Sequence, residues 1–247
     1  MKITIVTPVF NCGAYINNCI ASVISQDYAS VEYIVIDGGS VDNTLAVLEQ
    51  YREFITCLVS EKDEGMYDAI NKGLKLATGD VVGILNADDY FSGPDVISAI
   101  ANCFNRMDCD AVYGNLNYVS RRDGQSVQRR WRSGIFSTRS VLRGWMPAHP
   151  TFYVRRSVYA QFGFYKPGYG TCGDFELMLR FLYVYKIRAF FLDKLLVNMR
   201  TGGRSSGGIK GRWKSMKNDY RILVEAGLPR PLFTLVLKKL KKLCQFV

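Results

Sequence analysis

The sequence predicts an α/β fold, a parallel sheet wrapped by helices, with a basic helical tail behind it. Three observations carry that expectation. Strand-like apolar segments alternate at short spacing with helically spaced ones over roughly the first 110 residues, the pattern of a sheet whose crossovers are helices. Four of these strand-like segments run into polar features, at Phe10-Asn11, Asp37, Glu61 and Asp88-Asp89. Ligands of such sheets sit beyond the carboxyl ends of the strands, so one shared rim explains the four better than four unrelated loops. The formal net charge of +10 is unevenly placed: residues 204–247 hold eleven Lys/Arg against Asp219 and Glu225, whereas residues 1–203 hold 21 basic and 20 acidic side chains.

Taken in order, Lys2–Val9 alternates and reads as the first strand, and Tyr15–Ser25 has helical spacing. Val31–Ile36 is a second strand, stopped by Asp37-Gly38-Gly39-Ser40, and Thr44–Phe54 is a helix with Asp42 or Asn43 as its cap. Ile55–Ser60 is a short third strand, Met66–Ala77 a helix closed by Gly79, and Asp80–Leu85 a fourth strand. After about residue 113 the rhythm changes. Val112–Val119 is strand-like, residues 120–134 form an arginine-rich loop or hairpin, Phe152–Val154 is another short strand, and Asp174–Tyr185 is helical. Gly202–Gly208 is flexible by composition, Trp213–Glu225 is helical, Pro229 and Pro231 break the chain, and a last helix runs from about Leu232. No internal repeat is present.

Composition narrows the class. Apolar residues make up 48% of the chain, enough for a core. Seven cysteines without a CxxC pair read as reduced thiols of a cytosolic protein, and no Cys/His cluster suits zinc. The first residues do not have the make-up of a signal peptide, and no apolar run reaches about 18 residues, so neither secretion nor a membrane span is expected. The basic tail leaves three partners open: nucleic acid, an anionic membrane surface, or water around a solvated helix.

At the rim, Asp37 followed by two glycines suits hydrogen bonding to a ribose or base edge with close backbone approach, or equally an ordinary strand–turn–helix. Ser60–Gly73 packs Glu61, Asp63, Glu64 and Asp68 around a helix start. The helix dipole accounts for Glu64 and Asp68 but not for Asp63, and Lys72 is a point charge suited to phosphate. Asp88-Asp89 are adjacent carboxylates whose repulsion falls if a hard cation, Mg²⁺ or Mn²⁺, takes up the charge. His149, the lone histidine, is either a further ligand or structural. Asp174, behind glycines at a helix start, is an N-cap or a general base.

Together these pieces resemble the family 2 glycosyltransferases, inverting enzymes with a GT-A fold, and in particular their bacterial surface-polysaccharide branch. The matching residues are Thr7-Pro8-Val9-Phe10-Asn11, Asp37 through Thr44, Ser60 through Gly73, Asn86-Ala87-Asp88-Asp89, His149-Pro150-Thr151 and Gly173-Asp174, in the family's order over roughly residues 1–180. The resemblance implies a Rossmann-like mixed sheet flanked by helices, and a catalytic domain over residues 1–203. Its donor half is 1–113 and its acceptor half 114–203, and a tail of basic amphipathic helices follows over 204–247.

The resemblance also implies roles. Asp37 meets the base of a nucleotide-sugar, with Thr7, Pro8 and Phe10 lining the pocket, and Asp63 lies near base or ribose. Asp88 faces ribose and phosphates, Asp89 holds Mn²⁺ or Mg²⁺ with His149 nearby, and Asp174 is the base. The family's Asp-x-Asp pattern begins here with Asn86, which leaves Asp88 as the alternative metal ligand. Lys72, Arg200 or Arg204 adds positive charge at the diphosphate, and Gly202–Gly208 is either a lid or a passive linker. The implied reaction moves a hexose from a UDP-sugar to a polyprenyl-diphosphate-linked saccharide, in O-antigen, capsule or exopolysaccharide synthesis.

In the tail, Phe233, Val236, Leu240, Leu243 and Val247 recur at helical spacing, with Lys238, Lys239, Lys241 and Lys242 on the other side. That suits peripheral attachment of a cytoplasmic enzyme to the anionic inner face of the membrane, or a helix packed on its own domain. Nucleic acid fits less well, because the lysine run lacks interleaved aromatics. A nucleotidyltransferase would need a glycine-rich phosphate loop after the first strand, and Phe10-Asn11-Cys12-Gly13 is not one. A non-catalytic sugar-nucleotide-binding module would have no use for the acids at Asp89 and Asp174.

Overall fold

The computed structural model describes residues 1–202 and 209–243. The first half follows the expected order: β1 (Ile3–Val9), α1 (Ile16–Ile24), β2 (Val31–Asp37), α2 (Thr44–Gln50), β3 (Cys57–Ser60), α3 (Met66–Leu76) and β4 (Val81–Ile84). β1 pairs in parallel with both β2 and β4, and β2 with β3, so all four strands run out at one edge. α2 is shorter than the spacing suggests; it stops at Gln50 and a 3₁₀ turn, Arg52–Phe54, takes over.

The second half makes the sheet mixed. It comprises β5 (Tyr90–Phe91), α4 (Val96–Arg106), β6 (Ala111–Val119), β7 (Val127–Trp131), α5 (Thr138–Leu142), β8 (Tyr153–Arg155), α6 (Arg156–Phe162), α7 (Gly173–Leu179) and β9 (Ala189–Arg200). The sheet order is β3-β2-β1-β4-β8-β6-β9-β5, with β7 paired to β6. β8 is antiparallel to β4 and to β6, whereas β9 is parallel to β6 and antiparallel to β5. β9 therefore delivers its last residue, Arg200, to the same edge as the first four strands. α7 passes into a π-helical turn at Arg180–Val184, which fills out the single helix expected over 174–185.

Alternation along the strands sends side chains to two cores. Val6, Ile34, Ile36 and Ile84 face α3 and α7 on one side; Ile3, Ile5, Val35 and Leu85 face α1 and α4 on the other. One buried carboxylate ties the bottom of the sheet together. Glu32 accepts hydrogen bonds from Lys2 Nζ at 2.8 Å, Thr4 Oγ1 at 2.6 Å, and Thr78 through its amide at 2.8 Å and its hydroxyl at 2.5 Å. Burial works to raise its pKa, but these donors outweigh it and bring it down to about 2.

The tail packs on the domain as α8 (Ile209–Glu225) and α9 (Pro231–Leu243). The inward face of α9 is Thr234 and Leu235, with Thr234 Oγ1 donating to the Leu142 carbonyl at 2.8 Å. The lysines do not all point to water as the sequence suggests. Lys238 and Lys239 reach back to buried Asp219, at 2.7 and 3.0 Å, and Lys238 Nζ lies 3.1 Å from the centre of the Phe175 ring. The apolar positions Leu232, Phe233, Val236 and Leu240 face outward, each at least half exposed. Among the described residues no helix is long and apolar enough to cross a membrane.

Because Glu32 is held ionised in the fold, its contribution is present above the ordinary carboxylate pKa near 4.5 and is lost as pH falls toward 2. Glu32→Gln is expected to cost on the order of 2–3 kcal/mol near pH 7 and to flatten the loss of stability between pH 4.5 and 2. Urea unfolding across that range checks this; an unchanged acid slope would remove Glu32 from the account.

Candidate active site

The carboxyl ends of β1 and β2 carry the first group of expected donor residues. Asp37 is fully buried. Its Oδ1 accepts from the Ser40 hydroxyl at 2.5 Å, and Oδ2 accepts from Ser60 Oγ at 2.7 Å and from the amides of Gly39 and Ser40 at 3.2 and 3.1 Å. Its carboxylate thus organises the turn after β2 from within. Thr7 and Pro8 are buried too, and the Thr7 hydroxyl points to Cys19 under the rim, at 3.9 Å from its Sγ. Phe10 is the member of this group with an exposed ring, at 41%. Asp63 closes over the turn. A Cβ at Gly38 would lie 2.2 Å from Asp63 Oδ2, so the two segments approach this closely only with glycine there.

The acid pair divides its labour. Asp89 is 1% exposed, and its oxygens accept from Asn86 Nδ2 at 3.0 Å and from the Arg200 amide at 3.1 Å. Burial, and next the Asp88 charge, push its carboxyl well above the ordinary range. Asp88 turns outward, half-buried, with Arg121 Nη1 3.1 Å from its Oδ2. Arg200 Nη1 donates to the Asp88 carbonyl at 2.6 Å. Both guanidinium groups rest on Tyr15, at 4.4 Å for Arg121 and 5.3 Å for Arg200, and Arg200 also lies over Tyr90 at 5.2 Å. Asn86 Oδ1 is buried without a hydrogen-bond partner among the described residues.

For a cation, this donor set is one of hard oxygens: the outward Asp88 carboxylate and the unpartnered Asn86 carbonyl in the same turn. That suits Mg²⁺ or Mn²⁺ when a ligand's phosphates and water complete the shell. No group of three or more His, Cys, Asp or Glu side chains arranged for a metal occurs among the described residues. Asp89, with both oxygens already used, and His149 fit a ligand's part less well. His149 is buried, its Nε2 lies 2.6 Å from Tyr165 Oη, and burial lowers its pKa.

Asp174 is the second residue of α7. Its Oδ1 accepts from the Phe175 amide at 2.7 Å and lies 3.2 Å from Tyr67 Oη. Burial raises the pKa of the Tyr118 hydroxyl on β6; the Arg129 charge works against this, and the charges of Asp89 and then Asp174 add to it. Lys72 is engaged locally, 2.8 Å from Glu61 Oε1 and 3.2 Å from the Lys62 carbonyl, so its charge steadies the loop before α3. Arg204 and residues 203–208 of the glycine-rich segment lie outside the described residues. Sequence reasoning missed Arg121, Tyr15 and Tyr67 as site residues. Arg121 carried a faint signal, as a basic residue in the polar stretch after β6.

A model of the family described as Glycosyl transferase family 2 matches residues 4–182. The chain belongs to that family. Similar proteins include a PGL/p-HBAD biosynthesis glycosyltransferase of Mycobacterium tuberculosis, 28% identical over 181 residues, covering 72% of this chain and 68% of that protein. Among solved structures, TarS of S. aureus matches with a TM-score of 0.69 and 20% identity over 91% of this chain but 39% of its own, so this glycosyltransferase spans well under half of that chain. Residues 1–349 of TarS in complex with UDP-GlcNAc give a TM-score of 0.66 at 18% identity, over 91% of this chain and 66% of that one. Glucosyl-3-phosphoglycerate synthase from Mycobacterium tuberculosis, in complex with Mn²⁺, UDP and glucosyl-3-phosphoglycerate, gives 0.64 at 18% identity, over 92% of this chain and 81% of that one. The mixed sheet with flanking helices is the GT-A fold of these structures.

Proposed function

We propose that this glycosyltransferase moves a hexose from a UDP-sugar to a lipid-diphosphate-linked saccharide, with inversion and with a divalent cation, at the inner face of a bacterial membrane in surface-polysaccharide synthesis. The observation that carries the reading is the Asp88-Asp89 turn held by Arg121 and Arg200 at the carboxyl edge of the sheet; Asp174, at the start of α7, supplies the second acidic centre. One centre suits a diphosphate and the other a proton. UDP-GlcNAc with TarS and UDP with Mn²⁺ in glucosyl-3-phosphoglycerate synthase support a uridine nucleotide and a cation.

Asp174 takes the proton of the acceptor hydroxyl, and that oxygen attacks the anomeric carbon from the face opposite the nucleoside diphosphate, whose bond to the sugar breaks. Arg121 and Arg200 stabilise the negative charge that gathers on the departing diphosphate. Asp88, with the Asn86 carbonyl, would hold the cation, which supplies Lewis-acid stabilisation of the same charge. We assign the ligand to Asp88, one position earlier than the sequence suggests, because Asp89 is spent on Arg200 and Asn86. The exposed Phe10 ring stacks on the base, while Asp37, Thr7, Pro8 and Asp63 shape the floor and wall around it. The outward stripe of α9 dips into an anionic bilayer, with the exposed Lys241 on the same helix.

Asp88→Asn is expected to weaken Mn²⁺-dependent UDP binding by about 10–100-fold at unchanged melting temperature, whereas Asp89→Asn costs about 1–3 kcal/mol of stability. Calorimetric titration beside thermal melts decides between them, and the reverse pattern returns the ligand to Asp89. In a radiolabelled-sugar assay on a synthetic lipid-diphosphate acceptor, Asp174→Asn should keep UDP binding but lose about 10²–10⁴ of its turnover; near-normal turnover would end its role as base. Sedimentation with phosphatidylglycerol vesicles should fall several-fold for a Phe233→Asp/Leu240→Asp double variant. Equal sedimentation, or a wild-type chain that self-associates through this face instead, would count against the membrane.

A further inference from the structure

We propose that Tyr67 is the positioning residue of the base, a hydroxyl that aims the Asp174 carboxylate and swings its hydrogen bond aside once that carboxylate is protonated. The proposal rests on Asp174 being the base and goes beyond it by naming what holds it.

The Tyr67 ring is fixed before it meets Asp174. It stacks on Tyr165 with ring centres 5.3 Å apart and planes 15° from parallel. Tyr165 is itself held three ways: Asn71 Nδ2 donates to its carbonyl at 2.8 Å, its amide donates to Asn71 Oδ1 at 3.0 Å, and its hydroxyl sits against His149 Nε2. α3 thus presents Tyr67 to the start of α7 at a set depth. α7 comes right onto the ring: a Cβ at Gly173 would lie 2.8 Å from Tyr67 Cε2, so a side chain there would force the two apart.

At the hydroxyl, three groups of the α7 start converge. The Asp174 amide donates to Tyr67 Oη at 3.1 Å. The single phenolic hydrogen has two acceptors at the same distance, Asp174 Oδ1 and the Thr171 carbonyl, each 3.2 Å away. An ionised carboxylate is the stronger acceptor, so the hydrogen bond goes to Asp174 while it waits to act. When Oδ2 accepts the acceptor's proton, the carboxyl loses its charge and the phenolic hydrogen turns to Thr171; the Tyr67 O–H bond itself stays intact. Burial, and next the Asp174 charge, keep the Tyr67 hydroxyl protonated and therefore a donor.

The arrangement also selects an oxygen. The Phe175 amide and Tyr67 both address Oδ1, and among the described residues no group donates to Oδ2. The carboxylate is held by one oxygen and open at the other, which is the orientation that a proton acceptor at a crowded cleft requires.

Tyr67→Phe removes the hydroxyl and leaves the stacked ring, so its melting temperature should stay close to that of the wild type. Its kcat for transfer is expected to fall between about tenfold and about a hundredfold, with the KM for the UDP-sugar within about twofold. Site-specific 3-fluorotyrosine at position 67 restores a hydroxyl and should restore turnover. A kcat within twofold of wild type in Tyr67→Phe, or a loss that comes with a matching fall in melting temperature and a weaker donor KM, overturns the proposal. Asp174→Asn, assayed in parallel, separates the two ideas. If it stays active, the base assignment itself has failed; if it is inactive while Tyr67→Phe is normal, only the positioning role has failed.

Discussion

The contact on which the rim depends is the one that Arg200 makes with two consecutive acids. Its amide binds the Asp89 carboxylate and its guanidinium binds the Asp88 carbonyl, so one residue at the end of β9 fixes both the buried and the outward member of the pair. β9 is a long strand of the second half of the chain, and it reaches this point because it runs parallel to β6 for most of its length. The strand order is therefore a requirement of the site. A β9 shifted by one residue would send Arg200 to the other face, and the turn after β4 would lose its fixed geometry.

Two adjacent carboxylates are unfavourable together, and the fold resolves this by giving them different surroundings. Asp89 goes inward, where donors satisfy it and burial favours its neutral form. Asp88 goes outward, where Arg121 sits against it. Tyr15, beneath both guanidinium groups, holds them through its ring face at 4.4 and 5.3 Å. The two charges are thus separated by their surroundings, one buried and one paired with arginine.

Much of the first half was legible because its strands are apolar runs that stop at acids, and that rule places Asp37, Glu61 and Asp88 on one edge. β9 was not legible. Asp193-Lys194 interrupts its apolar run, and its partners lie far away in sequence, so no local pattern marks it as a strand. The same reason hid the partners of the site. Arg121 meets Asp88 across 33 residues and Tyr67 meets Asp174 across 107, and neither distance leaves a trace in composition or spacing. Burial was the other unreadable quantity. Asp37, Thr7, Asp89 and His149 stand out in the sequence by residue type and position, but only the packing tells that they are buried.

Lys238 on the ring of Phe175 gives the tail a meaning beyond attachment. Phe175 follows Asp174 directly, and its amide holds the Asp174 carboxylate. A helix whose outer face is greasy and whose inner face carries that lysine is mechanically in series with the cleft. Its seat on the domain and the aim of one carboxylate are set by the same few contacts. Trimming the chain ahead of α9 would uncover the Phe175 ring and leave Asp219 without its two lysines, so the helix belongs with the domain whose cleft it backs.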